Sequence, residues 1–247
     1  HVHLQRSDGD LVGGPFMISD FVAGETVPRR VLRLIAEPGH GELVAAQLGE
    51  SLARLHALDP AKVQVPLRTA EAVGATPAER ALAGLSAMVA ELPQARPVLR
   101  LGLRWLEAHL PPAPRRETIV HTDGRNGNII VGPDELRAVL DWEGALASGD
   151  PMQDLAWPAL RMWRFREDDK EIGGFAGRAP FVAGYEAAGG EFDEDRFEWW
   201  KVEGTLRWAV GLAGQTLAVL DGRVPSIVMA ASGRRVPELE WDLLMLV

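Results

Sequence analysis

The sequence predicts an α+β fold, mostly helical and organised around one central β-hairpin, with a smaller strand pair at its start. Three observations predict it. Ile129-Ile130-Val131 and Leu136 to Leu140 are short apolar runs joined by the turn Gly132-Pro133-Asp134. His3-Leu4-Gln5 and Pro15-Phe16-Met17-Ile18 read as two further strands, and the Asp8-Gly9 pair between them is a hairpin signal. Most of the remaining chain shows helical periodicity or helix caps.

After the first strand pair, residues 40 to 58 form an amphipathic helix. Val44, Leu48, Leu52 and Leu55 recur at spacings of four, four and three, and Asp59-Pro60 stops it. His56 ends that apolar stripe and reads as a buried structural histidine. Residues 60 to 77 are irregular, punctuated by Pro60, Pro66, Gly74 and Pro77. Thr76-Pro77-Ala78-Glu79 then combines a cap, a first-turn proline and an acid three residues on, so a helix should run to about Leu92. A second should span Pro97 to Leu110, before the stiff connector Pro111-Pro112-Ala113-Pro114. Beyond the central hairpin, helices are expected from Pro151 to about Phe165, Pro180 to Ala188, Asp193 to about Leu220 and Pro237 to Val247. Asp193 should cap the longest, with Glu194 and Asp195 favouring its dipole. Trp142, Trp157, Trp199 and Trp200 read as core.

With 247 residues the chain can bury a substantial core. Its net charge of −9 argues against non-specific nucleic-acid or anionic-membrane binding. Cysteine is absent, which excludes disulfides and thiolate metal sites. No signal peptide or membrane-length apolar run is present, so the expected location is cytoplasmic.

The chemistry gathers at the central hairpin. A hairpin brings its outer ends together, so Asn128, before the first strand, and Asp141, after the second, should lie close. Asp123 can fold back to the same point across a glycine-containing loop. Two carboxylates about 4 Å apart repel by roughly 4 kcal/mol at an effective dielectric near 20, which calls for a cation. Oxygen donors of this kind suit Mg²⁺.

The order His121-x-Asp123-x-x-x-x-Asn128, followed by Asp141, resembles the catalytic and metal-binding loops of protein kinases. The wider string, HTDGRNGNIIV to AVLDWEGALASGDPMQDLAW, resembles the aminoglycoside-phosphotransferase-like branch of the kinase-like superfamily. It is most similar to phosphotransferases related to the kinase-like domain of acyl-CoA dehydrogenase fusion proteins. Trp142-Glu143 stands where protein kinases carry Phe-Gly.

That resemblance implies a protein-kinase-like fold, with residues 1–24 a remnant N-lobe and hinge and residues 25–247 a helical C-lobe. It implies ATP and Mg²⁺ as cofactors and a small-molecule hydroxyl as acceptor. Asp123 becomes the catalytic base, and Asn128 and Asp141 the ligands of a magnesium ion bridging the nucleotide phosphates. Ser19 takes the gatekeeper position, and the backbone of Asp20 and Val22 the adenine edge. His121 serves as scaffold; Arg125 could reach acceptor or phosphate, and Glu143 a second magnesium. Asp150 and Asp154 brace the catalytic loop and cap the next helix. Hydroxylated acids or their thioesters are the implied acceptors, ahead of aminoglycosides.

The pattern also departs from the family. No lysine precedes Lys62, and Gly13-Gly14 lies on the wrong strand to cover phosphates. The expectation is a fragment of a longer chain that carries the glycine-rich loop and lysine. A catalytically inactive pseudokinase or scaffold is the alternative. A metal-dependent phosphohydrolase using His121, Asp123 and Asp141 is disfavoured, because only one histidine is suitably placed.

Overall fold

The computed structural model describes the chain except for residues 64–66 and 70–72. It opens on an antiparallel ribbon of β1 (Val2–Arg6) and β2 (Phe16–Ser19), with Leu4 opposite Ile18. Helices α1 (Pro28–Leu34), α2 (His40–His56), α3 (Pro77–Ala90) and α4 (Pro97–Ala108) follow. The centre holds four short strands, β3 (Thr118–Val120), β4 (Ile129–Val131), β5 (Leu136–Val139) and β6 (Leu146–Gly149). Strands β4 and β5 form the expected hairpin, with Ile129 opposite Val139, while β3 pairs antiparallel with β6. The rest is helical: α5 (Pro151–Ala156), α6 (Arg178–Ala187), α7 (Glu194–Leu220), α8 (Ile227–Ser232) and α9 (Val236–Leu244).

Local chemistry accounts for most boundaries. The amide of Glu79 donates to the Thr76 hydroxyl (3.2 Å) and the amide of Thr76 to the Glu79 carboxylate (3.0 Å), a closed capping box. Asp193 accepts from the Arg196 amide at 3.0 Å and starts α7. That helix is the spine of the core, burying Phe197, Trp199, Trp200, Leu206 and Leu212. Helices α2 and α6 cross closely because Gly49 and Gly184 meet the other helix's backbone; a Cβ on Gly49 would strike the Phe181 carbonyl and one on Gly184 the Ala46 carbonyl.

Three sequence expectations need correction. The helix expected over Pro151–Phe165 ends at Ala156 and gives way to 3-10 turns at Trp157–Ala159 and Arg161–Trp163. Pro158 has no N–H to continue the α-helical ladder. The β3–β6 pair and helices α1 and α8 were not anticipated, being too short for periodicity to register. Trp142, read as core, is 47% exposed. The irregular stretch at 60–77 lies partly outside the described residues; within them it contains a 3-10 turn at Pro60–Lys62 and a bridge from Arg68 to Leu146.

The ribbon leads into the rest of the chain through a close crossing at Gly24–Glu25, beside which Arg137 donates to the Ala23 carbonyl at 3.1 Å. Glu25 and Val131 exchange backbone hydrogen bonds at 2.9 and 3.0 Å. Gly24, at φ +154°, passes so near that a Cβ would sit 2.5 Å from Ile130 Cγ2. No residue before Val31 belongs to the buried hydrophobic core among the described residues.

Candidate active site

The hairpin and the loop ahead of it bring Asp123, Asn128 and Asp141 to one point. The Asn128 side-chain amide donates to Asp123 Oδ2 at 2.6 Å and to Asp141 Oδ2 at 3.3 Å, and also to the Asp123 carbonyl at 3.0 Å. A single amide nitrogen thus bridges two carboxylates whose mutual repulsion would otherwise oppose the arrangement. Asp141 reaches this position in a left-handed conformation, φ 66°, where β5 ends and a 3-10 turn over Trp142–Gly144 begins. Thr122 is also left-handed, φ 71°. Non-glycine residues in that region carry a backbone cost of about 1–3 kcal/mol each and survive only where surrounding contacts dictate them.

Those contacts are visible. Asp154, completely buried on α5, accepts from the amides of His121 (2.7 Å) and Thr122 (2.6 Å) and from His56 Nε2 (3.2 Å). His56 Nδ1 in turn meets the Tyr185 hydroxyl at 3.0 Å. The histidine closing the α2 stripe is therefore a buried, fully bonded residue bracing the loop from behind. His121 is used at both ring nitrogens: Nδ1 accepts from the Asp123 amide (3.2 Å), which leaves Nε2 to donate to the Leu140 carbonyl (2.9 Å). With both nitrogens spent on backbone, His121 has none free for a substrate proton.

Asp123 Oδ1 accepts from Trp157 Nε1 at 2.6 Å and from Arg125 Nε at 3.1 Å. The Arg125 guanidinium lies 4.0 Å from the centre of the Trp163 ring. It is thus pinned between an acid and an indole rather than waving in solvent. Trp157, which sequence reasoning assigned to the core alone, touches the candidate site directly. Its ring is buried, and its indole N–H orients the Asp123 carboxylate. The signal in the sequence was its place six residues beyond Gly149-Asp150-Pro151. At Asp150 a helix cap and an ion pair coincide: it accepts from the Met152 amide at 2.9 Å and pairs with Arg196. Burial nevertheless holds its carboxyl above the usual aspartate range.

A cleft of about 470 Å³ opens beside these groups, with Asp123, Asp141 and Glu143 on one side and Arg207, Glu203 and Met88 on others. Ser19, Asp20 and Val22 lie apart from it on the ribbon and its exit. The Asp20 carboxylate meets His3 Nε2 at 2.5 Å, and the Asp20 amide donates to the His1 carbonyl at 2.8 Å.

The chain matches the phosphotransferase enzyme family over residues 1–200. It belongs to that family. The match agrees with the loop-and-hairpin constellation and with the fold. A solved structure from Ralstonia eutropha, described as a candidate aminoglycoside phosphotransferase, superposes with a TM-score of 0.74 at 22% identity, covering 99% of this chain and 76% of that one. The GDP complex of aminoglycoside 2'-phosphotransferase-IIIa gives 0.66 at 16% identity, covering 100% and 76%. At such identities the likeness establishes the kinase-like fold and nothing finer. Among curated relatives, mouse (Mus musculus) acyl-CoA dehydrogenase family member 10 is 26% identical over 249 residues, covering 95% of this chain and 23% of that protein. Family member 11 from Pongo abelii is 31% identical over 160 residues, covering 62% and 19%. The chain thus spans about a fifth of the length of these relatives. No helix among the described residues is long and apolar enough to cross a membrane.

The donor set can be tested for magnesium on its own chemistry. Among the described residues no group of three or more His, Cys, Asp or Glu could hold a metal alone. One amide oxygen and one carboxylate on adjoining hairpin ends suit an ion that keeps waters and takes its remaining ligands from phosphates, the usual magnesium habit. Asn128 and Asp141 would fit that role once the Asn128 amide turns its Oδ1, in place of its nitrogen, toward Asp141.

Proposed function

We propose that this phosphotransferase uses ATP with magnesium to phosphorylate the hydroxyl of a small molecule, a hydroxylated acid or its thioester being the favoured acceptor. The observation that carries the reading is the Asn128 amide bridging Asp123 and Asp141 within 3.3 Å. Asn128 and Asp141 would hold magnesium, which when bound would supply charge neutralisation for phosphoryl transfer. Asp123 accepts the acceptor's proton at Oδ2 while Trp157 and Arg125 fix Oδ1. General-base help of this kind is worth roughly 10²–10⁴-fold. Glu143, exposed at the cleft edge, is available to a second magnesium; Ser19 is the gatekeeper, and the Asp20 carbonyl and the Val22 backbone are offered to an adenine edge, the Asp20 amide being taken by the His1 carbonyl. The partners are therefore a nucleotide and a small hydroxylated molecule, with no role for nucleic acid or a membrane surface, and a cytoplasmic setting suits both.

A second reading, an inactive scaffold, is favoured by the distance of Ser19, Asp20 and Val22 from the cleft that Asp123 lines. Phosphorus-31 NMR of ATP with a panel of hydroxylated metabolites separates the two. The first reading expects a new phosphate ester that disappears in Asp123→Ala while nucleotide affinity persists. An absence of any ester across the panel, with the wild-type protein still folded and binding nucleotide, favours the scaffold.

A further inference from the structure

The cleft beside Asp123 is walled mainly by apolar groups, among them Leu85, Met88 and Trp157, and α7 closes one side of it with Glu203 and Arg207. The Arg207 guanidinium carbon lies 4.2 Å from the centre of the Trp157 ring, the same indole that donates to Asp123. One indole therefore separates the cation from the acid proposed as base. Among the described residues Arg207 makes only one hydrogen bond, a long one of 3.4 Å from Nη2 to the Thr122 carbonyl, and its Nε is buried without a partner. Glu203 is 2% exposed, and its Oε2 has no partner among the described residues. Its Oε1 stands 3.5 Å from Arg207 Nε, too far for a good charge-assisted bond. Buried polar atoms left in this state are costly unless something else completes them.

We propose that Arg207 and Glu203 anchor the acceptor, and that the group they hold is a free carboxylate a few carbons from the reacting hydroxyl. This rests on the phosphotransferase reading of the cleft and narrows it. The guanidinium offers a planar fork of donors, which a carboxylate matches with two parallel hydrogen bonds. At the guanidinium an ammonium group would meet a like charge, and a neutral amide or thioester carbonyl would leave that charge uncompensated. Burial pushes the Glu203 carboxyl up, which weakens its competition with an incoming carboxylate for the guanidinium. Arg80 and Arg68 also line the cleft, but Glu117 engages Arg80 at 2.6 Å and Arg68 is exposed to solvent, which makes Arg207, against the Trp157 ring, the better anchor.

Isothermal titration of the whole protein with three matched probes tests this: 5-hydroxydecanoate, 5-hydroxydecanamide and 5-hydroxydecylamine. The expected result is that the acid binds at least tenfold tighter than either analogue. Arg207→Gln should erase that preference and Arg207→Lys keep part of it, with thermal melting showing both variants folded. Arg115→Gln, remote from the cleft, should change nothing. Equal or tighter binding of the amide or amine overturns the proposal, as does a preference that survives Arg207→Gln, or no binding by any probe. Failure of the underlying reading shows differently: the acid binds as stated, yet Mg-ATP never phosphorylates it.

Discussion

Two antiparallel ribbons of similar size behave very differently in this protein. The β4–β5 hairpin buries all three residues of Ile129–Val131, and the loop ahead of it is held by Asp154, His56 and Trp157. The β1–β2 ribbon leaves Val2, Met17 and Ile18 at 46%, 61% and 50% exposure and touches the body at the Gly24–Glu25 crossing. An isolated two-stranded hairpin is marginal in water, so the second ribbon belongs to the low-stability end of the molecule. The groups proposed for chemistry thus sit on the over-determined ribbon. Those proposed for the adenine edge, Ser19, Asp20 and Val22, sit on the loosely held one. Rigidity is spent where reacting atoms must be aligned.

The contrast can be broken hardest at Asp154. Asp154→Ala strands two buried amides and His56 together, and should cost roughly 3–5 kcal/mol in urea unfolding. A loss under 1 kcal/mol would mean the loop is not clamped as described. Next comes Trp157→Phe, which keeps an aromatic ring but removes the N–H on Asp123. A hydrogen bond to a charged group is worth about 1.5–3 kcal/mol, so kcat should fall about 10- to 100-fold with the acceptor's KM little changed. An unaltered kcat would remove Trp157 from the site.

Gly24→Val attacks the crossing itself and should cost about 1–3 kcal/mol through its strained φ and the clash with Ile130. Hydrogen exchange should accelerate at residues 2–19 and leave 129–131 protected; equal acceleration in both would show the ribbons to be one cooperative unit. Glu203→Gln sharpens the electrostatic side. Burial raises the Glu203 carboxyl in the folded state, so its contribution is present at acid pH and lost as pH climbs through the raised value. Glutamine does not titrate. The variant should match the parent near pH 4 and become progressively more stable above roughly 4.3, the value of a solvated glutamate. A difference independent of pH would contradict the assignment. The smallest effect is expected from Met17→Ser, within about 0.5 kcal/mol, since that side chain already faces solvent.

Much of this was legible from residue order. The turn Gly132-Pro133-Asp134 between two apolar runs gave the hairpin, and its closure brought Asn128 to Asp141. Capping chemistry at Thr76 and Asp193 fixed two helix starts, because a cap is local. What escaped depended on distance in the chain. The β3–β6 pair joins residues nearly thirty positions apart through strands of three and four residues, and neither carries a period long enough to detect. The bond from Trp157 to Asp123 exists only once α5 has folded back on the loop. The same holds for Arg207 on α7, which looks like a helix-surface arginine until the cleft is assembled around it.

The most direct test of the central claim is nucleotide binding with and without magnesium, measured by calorimetry on the wild type, Asp141→Asn and Asp123→Asn. The account predicts that magnesium tightens binding in the wild type and in Asp123→Asn, and that this dependence is lost in Asp141→Asn. If magnesium makes no difference to the wild type, or if Asp141→Asn keeps the full dependence, the hairpin ends do not grip the ion and the account is wrong.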